Sequence, residues 1–274
     1  MALQRITSRN ATFQQLQALL TNRSKRHKSM EFLVQGVRPI NLAVQSGWRI
    51  SDFIYDPQRP LSRWAEDLIN DGRTDRVAMS AELLAELSEK NESIPEIIAV
   101  VSIPRTELAD IKVTSGFLGL LMDRPSSPGN IGSAIRSADA FGAGCVIVSG
   151  HAADIYDPKC VRATTGSLFT LPVVRAPSHH EVSSWLDDQR AVGHDVQLVG
   201  TDERGSVDIF DFDLTRPTLL LIGNETVGLS AAWRELCDDM VRIPITGAAS
   251  SLNAANAATT ALYEATRQRS QASK

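Results

Sequence analysis

The sequence has no long hydrophobic run. Its apolar stretches, such as Ile97–Val101 and Leu219–Ile222, are short, and a membrane-crossing helix needs about 20 apolar residues. The N-terminus carries Arg5 and Arg9 but no apolar stretch behind them, which predicts no secretory signal. Cysteine is scarce: Cys145, Cys160 and Cys237 are far apart and odd in number. They suit buried thiols in a reducing cytoplasm and exclude a disulfide framework. Several familiar signatures are also missing. No G-x-G-x-x-G follows a strand, no P-loop Gly-Lys-Ser/Thr occurs, and no G-x-S-x-G elbow is present. The histidines His27, His151, His179, His180 and His194 form no ligand spacing with cysteine or carboxylate, so no metal is expected. What remains is a 274-residue chain, 43% hydrophobic and 22% charged. That is a globular composition, long enough for one large domain or two ordinary ones.

Net charge is −4, but the charge is unevenly placed. Residues 1–50 hold eight Lys/Arg against the single acid Glu31, whereas residues 51–110 hold six against thirteen. The basic block is densest over Arg23-Ser-Lys25-Arg26-His-Lys28. One reading is a solvated loop. The sharper one is a phosphate-contacting arm, because clustered Lys/Arg releases counterions from a nucleic-acid backbone. Arg9, Arg23, Lys25, Arg26, Lys28 and Arg38 are the candidate RNA contacts.

Periodicity predicts a helix over 10–20, with Phe13, Leu16, Leu19 and Leu20 on one face. Strands follow at 31–36 and 50–55, and helices at 41–45, 61–71 and 80–89. Ile97–Val101 is a β-rich run. This alternation predicts a small α/β RNA substrate-binding domain over 1–105, with a linker at 106–116. From 117 onward, strands at 117–122, 145–148, 197–201, 219–222 and 240–243 alternate with helices at 132–141, 181–190, 230–236 and 251–269. An extended segment is expected at 168–174, and a helix after Asp157-Pro158. Such alternation predicts a mainly parallel sheet covered on both faces over 117–274.

Three segments of the second half carry candidate chemistry. Pro128-Gly-Asn130-Ile-Gly132-Ser-Ala-Ile-Arg136 follows a strand and opens a helix, whose N-terminus can bind an anion. Arg136 could equally pair with Asp139 on the helix surface. Leu219–Ile222 runs into Gly223-Asn-Glu225, polar groups at the C-terminal edge of a strand, where open α/β sheets bind ligands. A tight turn would use the same residues. Ile243-Pro-Ile245-Thr-Gly247 leads to Ser250-Ser251-Leu252-Asn253, where Ser250 or Ser251 can cap the last helix. The alanines at 254, 255, 257, 258 and 261 let another backbone approach closely, or simply pack a core helix.

Together, in this order, the segments resemble the signatures of the SpoU/TrmH class of RNA 2′-O-ribose methyltransferases. The residues are Asn130-x-Gly132-x-x-x-Arg136 with Phe141-Gly142, Gly223-Asn-Glu225-x-x-Gly228-Leu, and Ile243-Pro-x-x-Gly247 with Ser251-Leu-Asn253. The resemblance spans about 117–269. Phe32-Leu-Val-Gln-Gly-Val-Arg38 is similar to the ribosomal-protein-like domain many members carry at the N-terminus. Gly150–Pro158 and Ser250–Asn256 most resemble the avilamycin-resistance type of large-subunit rRNA methyltransferase. Two departures stand out: Ile245 replaces a methionine, and Ala254-Ala255 replace Val-Ser.

The resemblance implies a SPOUT domain with a C-terminal trefoil knot, an exception to unknotted topology. It implies S-adenosyl-L-methionine as methyl donor, a homodimer, and transfer to a ribose 2′-hydroxyl, with a uridine of 23S rRNA as target and antibiotic resistance as the outcome. It places Arg136 nearest the hydroxyl. A guanidinium is a poor base near neutral pH, so gripping a phosphate and orienting the hydroxyl is the favoured role. Asn130, Glu225, Ser251 and Asn253 would order the ribose and the loops. The donor would rest on Val199, Gly200, Thr201, Leu221, Ile222, Gly223, Ile243, Ile245, Ser251, Leu252 and Asn253. A tRNA enzyme of the same class and a catalytically silent RNA-binding scaffold are the competing readings. A nicotinamide enzyme is disfavoured by the missing glycine fingerprint.

Overall fold

A computed structural model describes residues 3–89 and 94–272. The chain forms two compact units, Met1–Arg105 with Tyr156–Thr170, and Thr106–Ile155 with Leu171–Lys274.

In the first unit, β1 (Leu3–Ile6), β2 (Glu31–Gln35), β3 (Ile50–Tyr55), β4 (Asp75–Met79) and β5 (Ile97–Ser102) form a sheet of order β1-β4-β3-β5-β2. β1, β4 and β3 run parallel, and β5 is antiparallel to both β3 and β2. Its helices are α1 (Ala11–Thr21), α2 (Arg23–Ser29), α3 (Val37–Gln45), α4 (Arg63–Asn70) and α5 (Ala81–Ser88). α1 buries Phe13, Leu16, Leu19 and Leu20, the stripe its spacing predicts, against Ile54, Val77 and Val100 of the sheet. Asn10 caps it by accepting from the amide of Phe13 at 3.0 Å.

The second unit begins with β6 (Leu118–Asp123), α6 (Pro128–Ala140) and β7 (Cys145–Ser149). The chain then enters α7 (Pro158–Thr164), which belongs to the first unit. There Phe32 lies 4.9 Å from Tyr156, and Trp48 lies 5.0 Å from Phe169 and donates to its carbonyl. The second unit resumes with β8 (Val173–Ala176), α8 (His179–Ala191), β9 (Gln197–Thr201), β10 (Val207–Asp208), β11 (Thr218–Ile222), α9 (Ala231–Leu236), β12 (Asp239–Arg242) and α10 (Ala254–Ala272). All seven strands are parallel, in the order β10-β12-β9-β11-β6-β7-β8. The near-continuous apolar runs of the central β6, β7 and β11 are fully buried, as a parallel sheet requires, whereas β10 and β12 at one edge are partly exposed.

Several expectations need correction. The 106–116 linker clusters with the second unit, and 156–170 with the first, so the domains are not contiguous in sequence. Short strands β1, β4 and β10 were not expected. The 168–174 segment is a 3-10 turn at Ser167–Phe169 followed by β8, not one extended run. α6 starts at Pro128, not Gly132: Ser127 caps it and proline occupies the first helical position, where no amide is needed. α10 starts at Ala254, and its cap is Asn253 in place of Ser250 or Ser251. The Asn253 Oδ1 accepts from the amide of Ala255 at 2.9 Å. The alanine face of α10 is buried, and α10 packs on α6 of the same unit, where Ser137 and Thr259 hydroxyls meet at 2.7 Å. The close-approaching backbone is therefore supplied within the chain.

Candidate active site

The parallel strands end on one edge, and there the loops after β9, β11 and β12 converge on a cavity of about 650 Å³. Of the expected donor contacts, Thr201, Ile222, Gly223, Ile243, Ile245, Ser251 and Leu252 line it. Val199, Gly200, Leu221 and Asn253 do not: the first three are buried strand positions below its floor, and Asn253 is turned to the start of α10 and to Asn130. Gly200 is covered by Met240, Cys237 and Leu229, and the Leu221 carbonyl accepts from Thr201 Oγ1 at 3.1 Å. Asp202, Asn224, Gly228, Arg234 and Ala257 line the cavity and were missed. For Asp202, Asn224, Gly228 and Ala257 the only signal in the sequence is position just past an apolar strand or inside a signature segment; Arg234, inside α9, has none.

Gly223 is required by close approach. A Cβ there would stand 2.6 Å from the Gly228 carbonyl carbon and the Leu229 nitrogen. Gly228 sits at φ +67°, a region that favours glycine. Asn224 closes the turn between them. Its amide and carbonyl exchange hydrogen bonds with Gly228 at 3.1 and 3.0 Å, and its Oδ1 accepts from Thr226 and Val227.

The three signature segments meet in one hydrogen-bonded chain. Asn253 Nδ2 donates to Asn130 Oδ1 at 3.0 Å, and Asn130 Nδ2 donates to Glu225 Oε1 at 2.9 Å. Glu225 also accepts from the Ser127 amide at 3.3 Å and from the Ser126 amide and hydroxyl at 3.0 Å each. Burial alone would push the Glu225 carboxyl up. The hydrogen bonds from Ser126, Asn130 and its own backbone outweigh this and hold it below the usual carboxylate range. Both oxygens are thus occupied by the chain's own donors. The residue is built to lock the loop before α6 onto the loop after β11, and it has no lone pair to spare for proton transfer.

Arg136 stands apart. It is six residues beyond Asn130 on α6, about 120° around the helix and about 9 Å along it. It is exposed and makes no hydrogen bond or ion pair among the described residues, so the surface pair with Asp139 is not formed. It does not line the cavity. Ser251 is exposed on the cavity wall.

The basic segment is a helix, α2, and its arginine at 26 is not a phosphate contact. Arg26 is 2% exposed. Its Nη1 donates to the carbonyls of Leu19 and Leu20 at 2.7 and 3.1 Å, and Nη2 lies 3.7 Å from Asp157. It caps the C-terminal carbonyls of α1, groups that a helix leaves without intrahelical partners. The remaining candidates do not form one patch. Lys25 and Lys28 are exposed and share a groove with Glu31 and Asp52 at the start of β2 and β3. Arg38 follows the far end of β2, about 17 Å away at the usual strand rise. Arg9 lies on that same far edge and pairs with Glu86 at 2.9 Å.

Comparisons with known proteins agree with this geometry. The SpoU L30e-like domain family matches residues 10–99 and the SpoU rRNA methylase family matches 118–263. The chain is 63% identical, over 98% of its length and 93% of the relative's, to a 23S rRNA (uridine(2479)-2′-O)-methyltransferase of Streptomyces viridochromogenes. It is 29% identical, over 89% of its length and 92% of the relative's, to a 23S rRNA (guanosine(2553)-2′-O)-methyltransferase of Bacillus subtilis. The crystal structure of the SpoU methyltransferase AviRb from S. viridochromogenes, in complex with AdoMet, superposes with a TM-score of 0.92 at 63% identity, covering 95% of this chain and 98% of that one. Fold, signature residues and whole-length identity agree: the chain belongs to the SpoU rRNA methylase family.

Proposed function

We propose that the protein transfers a methyl group from S-adenosylmethionine to the ribose 2′-hydroxyl of a uridine in 23S rRNA, the activity named for its Streptomyces relative. One observation carries the reading. The chain Asn253–Asn130–Glu225 joins the three signature segments beside a cavity built from three loop backbones. At about 650 Å³ the cavity lies in the range of small-molecule sites. Ile222, Ile243, Ile245 and Leu252 give it apolar walls, and the turn at 223–228 offers backbone groups, a donor set that fits a nucleoside with a charged tail. When bound, the donor supplies an electrophilic methyl on a sulfonium. The protein's own task is to hold the hydroxyl in line with it, and positioning supplies several kcal/mol. Asn130 and Asn253 fix the loops that flank the ribose. Arg136, exposed and without a partner among the described residues, is placed to take an RNA phosphate with its planar fork and orient the hydroxyl beside it.

Strand β12 lies beyond β9 from β11, yet the segment after it returns to α10 beside α6 and joins the cavity wall. That path supports a trefoil knot. The isolation of Arg136 supports a homodimer in which a partner copy completes the site. RNA contacts are assigned to Arg9, Arg23, Lys25, Lys28 and Arg38. An rRNA substrate, and thiols of Cys145 and Cys237 that burial pushes up to about 12, fit the cytoplasm. No helix among the described residues is long and apolar enough to cross a membrane. Mapping 2′-O-methyl marks on 23S rRNA incubated with protein and donor tests the reading, with tRNA in parallel. A uridine mark on 23S rRNA is expected. Marks confined to tRNA, or none on either RNA, would overturn it.

A further inference from the structure

The loop that floors the cavity is held from both sides by matching ion pairs. Extending the registers of β6 and β9 past the end of β11 sets Asp123 and Asp202 on either side of Gly223. Each carboxylate holds an arginine. Asp123, 2% exposed, takes Arg124 at 2.9 and 3.0 Å, and Asp202, whose side chain is 11% exposed, takes Arg234 at 2.5 Å. Each arginine then reaches the backbone that rests on Gly223. Arg124 Nη2 donates to the Gly228 carbonyl at 3.3 Å, and Arg234 Nε donates to the Leu229 carbonyl at 3.2 Å. Asp123 further accepts from the Ser230 amide at 2.9 Å. Asp202 also caps its own turn, accepting from the Arg204 amide at 2.9 Å.

The two arms differ in position. Asp123 and Arg124 lie outside the cavity lining, whereas Asp202 and Arg234 form part of it. Arg234 is therefore the link by which the loop after β9 and the loop after β11 keep their spacing across the cavity. We infer that Arg234, oriented by Asp202, is a positioning residue that sets the width of the donor cavity. The inference rests on the reading that the methyl donor occupies it. A charge-assisted hydrogen bond to a backbone carbonyl in a partly desolvated wall is stronger than a neutral one. Its loss would let the 228–229 backbone drift from the loop opposite while the sheet beneath stays closed.

The experiment measures S-adenosylmethionine binding by calorimetry, RNA affinity, and the thermal transition, for wild type, Arg234→Ala, Arg234→Lys, Asp202→Asn and the double variant Asp202→Asn/Arg234→Ala. Arg234→Ala is expected to weaken donor binding about tenfold, the scale of one lost charged hydrogen bond. It should raise KM for the donor more than it lowers kcat, and leave RNA affinity and the transition close to wild type. Arg234→Lys should rescue only in part, because an ammonium can meet Asp202 but lacks the fork that also reaches Leu229. The double variant should be no worse than Arg234→Ala, since the two residues act as one unit. Donor affinity unchanged in Arg234→Ala would overturn the inference. So would equal losses of donor binding, RNA binding and thermal stability, which mark a purely structural role. Wild-type protein that fails to bind the donor would instead overturn the reading of the cavity itself.

Discussion

Glu225 shows how environment decides what a side chain does. As a carboxylate beside a reacting hydroxyl it invites a role as base. In place, it accepts from Ser126, Ser127 and Asn130, and its proton affinity is lowered, not raised. The hydrogen bonds favour the charged form, so their stabilisation is fully present above the ordinary carboxylate value. It is lost as pH falls through the depressed folded value. Donor binding by wild type should therefore hold through mildly acidic pH and fail only below the usual carboxylate range. Glu225→Gln keeps the shape but loses the charge, and turns one acceptor into a donor facing donors. It should bind donor weakly at every pH. A Glu225→Gln protein matching wild type at neutral pH would remove the locking role. Arg136 is the opposite case. Its signature spacing was legible, but its isolation was not, because sequence does not say which helix face is left unpaired. Arg136→Ala should abolish methyl transfer in single-turnover assays and leave donor binding and the thermal transition near wild type. Little rescue by Arg136→Lys would favour a two-pronged phosphate grip.

At the scale of elements, long periodic segments were the readable ones. The apolar stripe of α1 and the buried runs of β9 and β11 emerged with nearly the bounds the pattern gave. β1 and β4 escaped because Leu3–Ile6 and Asp75–Met79 are short and interrupted by charge, and pairing between them, not local preference, makes them strands. The basic segment Arg23–Lys28 was the costliest ambiguity. A charge run looks solvated, and nothing local marks Arg26 as the residue that turns inward to cap α1. The structure separates the two roles, and so does an experiment. Arg26→Ala would leave two helix-end carbonyls buried without a donor and destabilise the first unit by about 2–4 kcal/mol. Lys25→Ala with Lys28→Ala should change stability by less than about 0.5 kcal/mol per site. It should, however, reduce the salt dependence of RNA binding by about two counterions. Urea titration beside RNA binding over a salt series checks both. An unchanged salt slope in the lysine pair would return that helix face to plain solvation.

At the scale of the molecule, Arg136 lies away from the cavity it is proposed to serve. The alanine face of α10, which lets another backbone approach closely, is spent on α6 within the chain. The case for a dimer therefore rests on the site itself. Asn130, Glu225 and Asn253 are linked, whereas Arg136 points to no partner of its own chain among the described residues. If a two-fold related copy brings its Arg136 to the cavity, each site draws on both chains. Sedimentation should then give about twice 29.8 kDa. Mixing two inactive variants, Arg136→Ala and Asn253→Ala, gives the more searching test. In a mixed dimer one site pairs the intact Asn253 of one chain with the intact Arg136 of the other, and the second site lacks both. With random exchange half the dimers are mixed and half their sites are whole, so about one quarter of wild-type turnover should return. If Arg136 serves the cavity of its own chain, every site in the mixture lacks one residue and turnover stays at the level of the separate variants. Donor binding reports the same mixture independently, because only the Asn253→Ala chains should lose it.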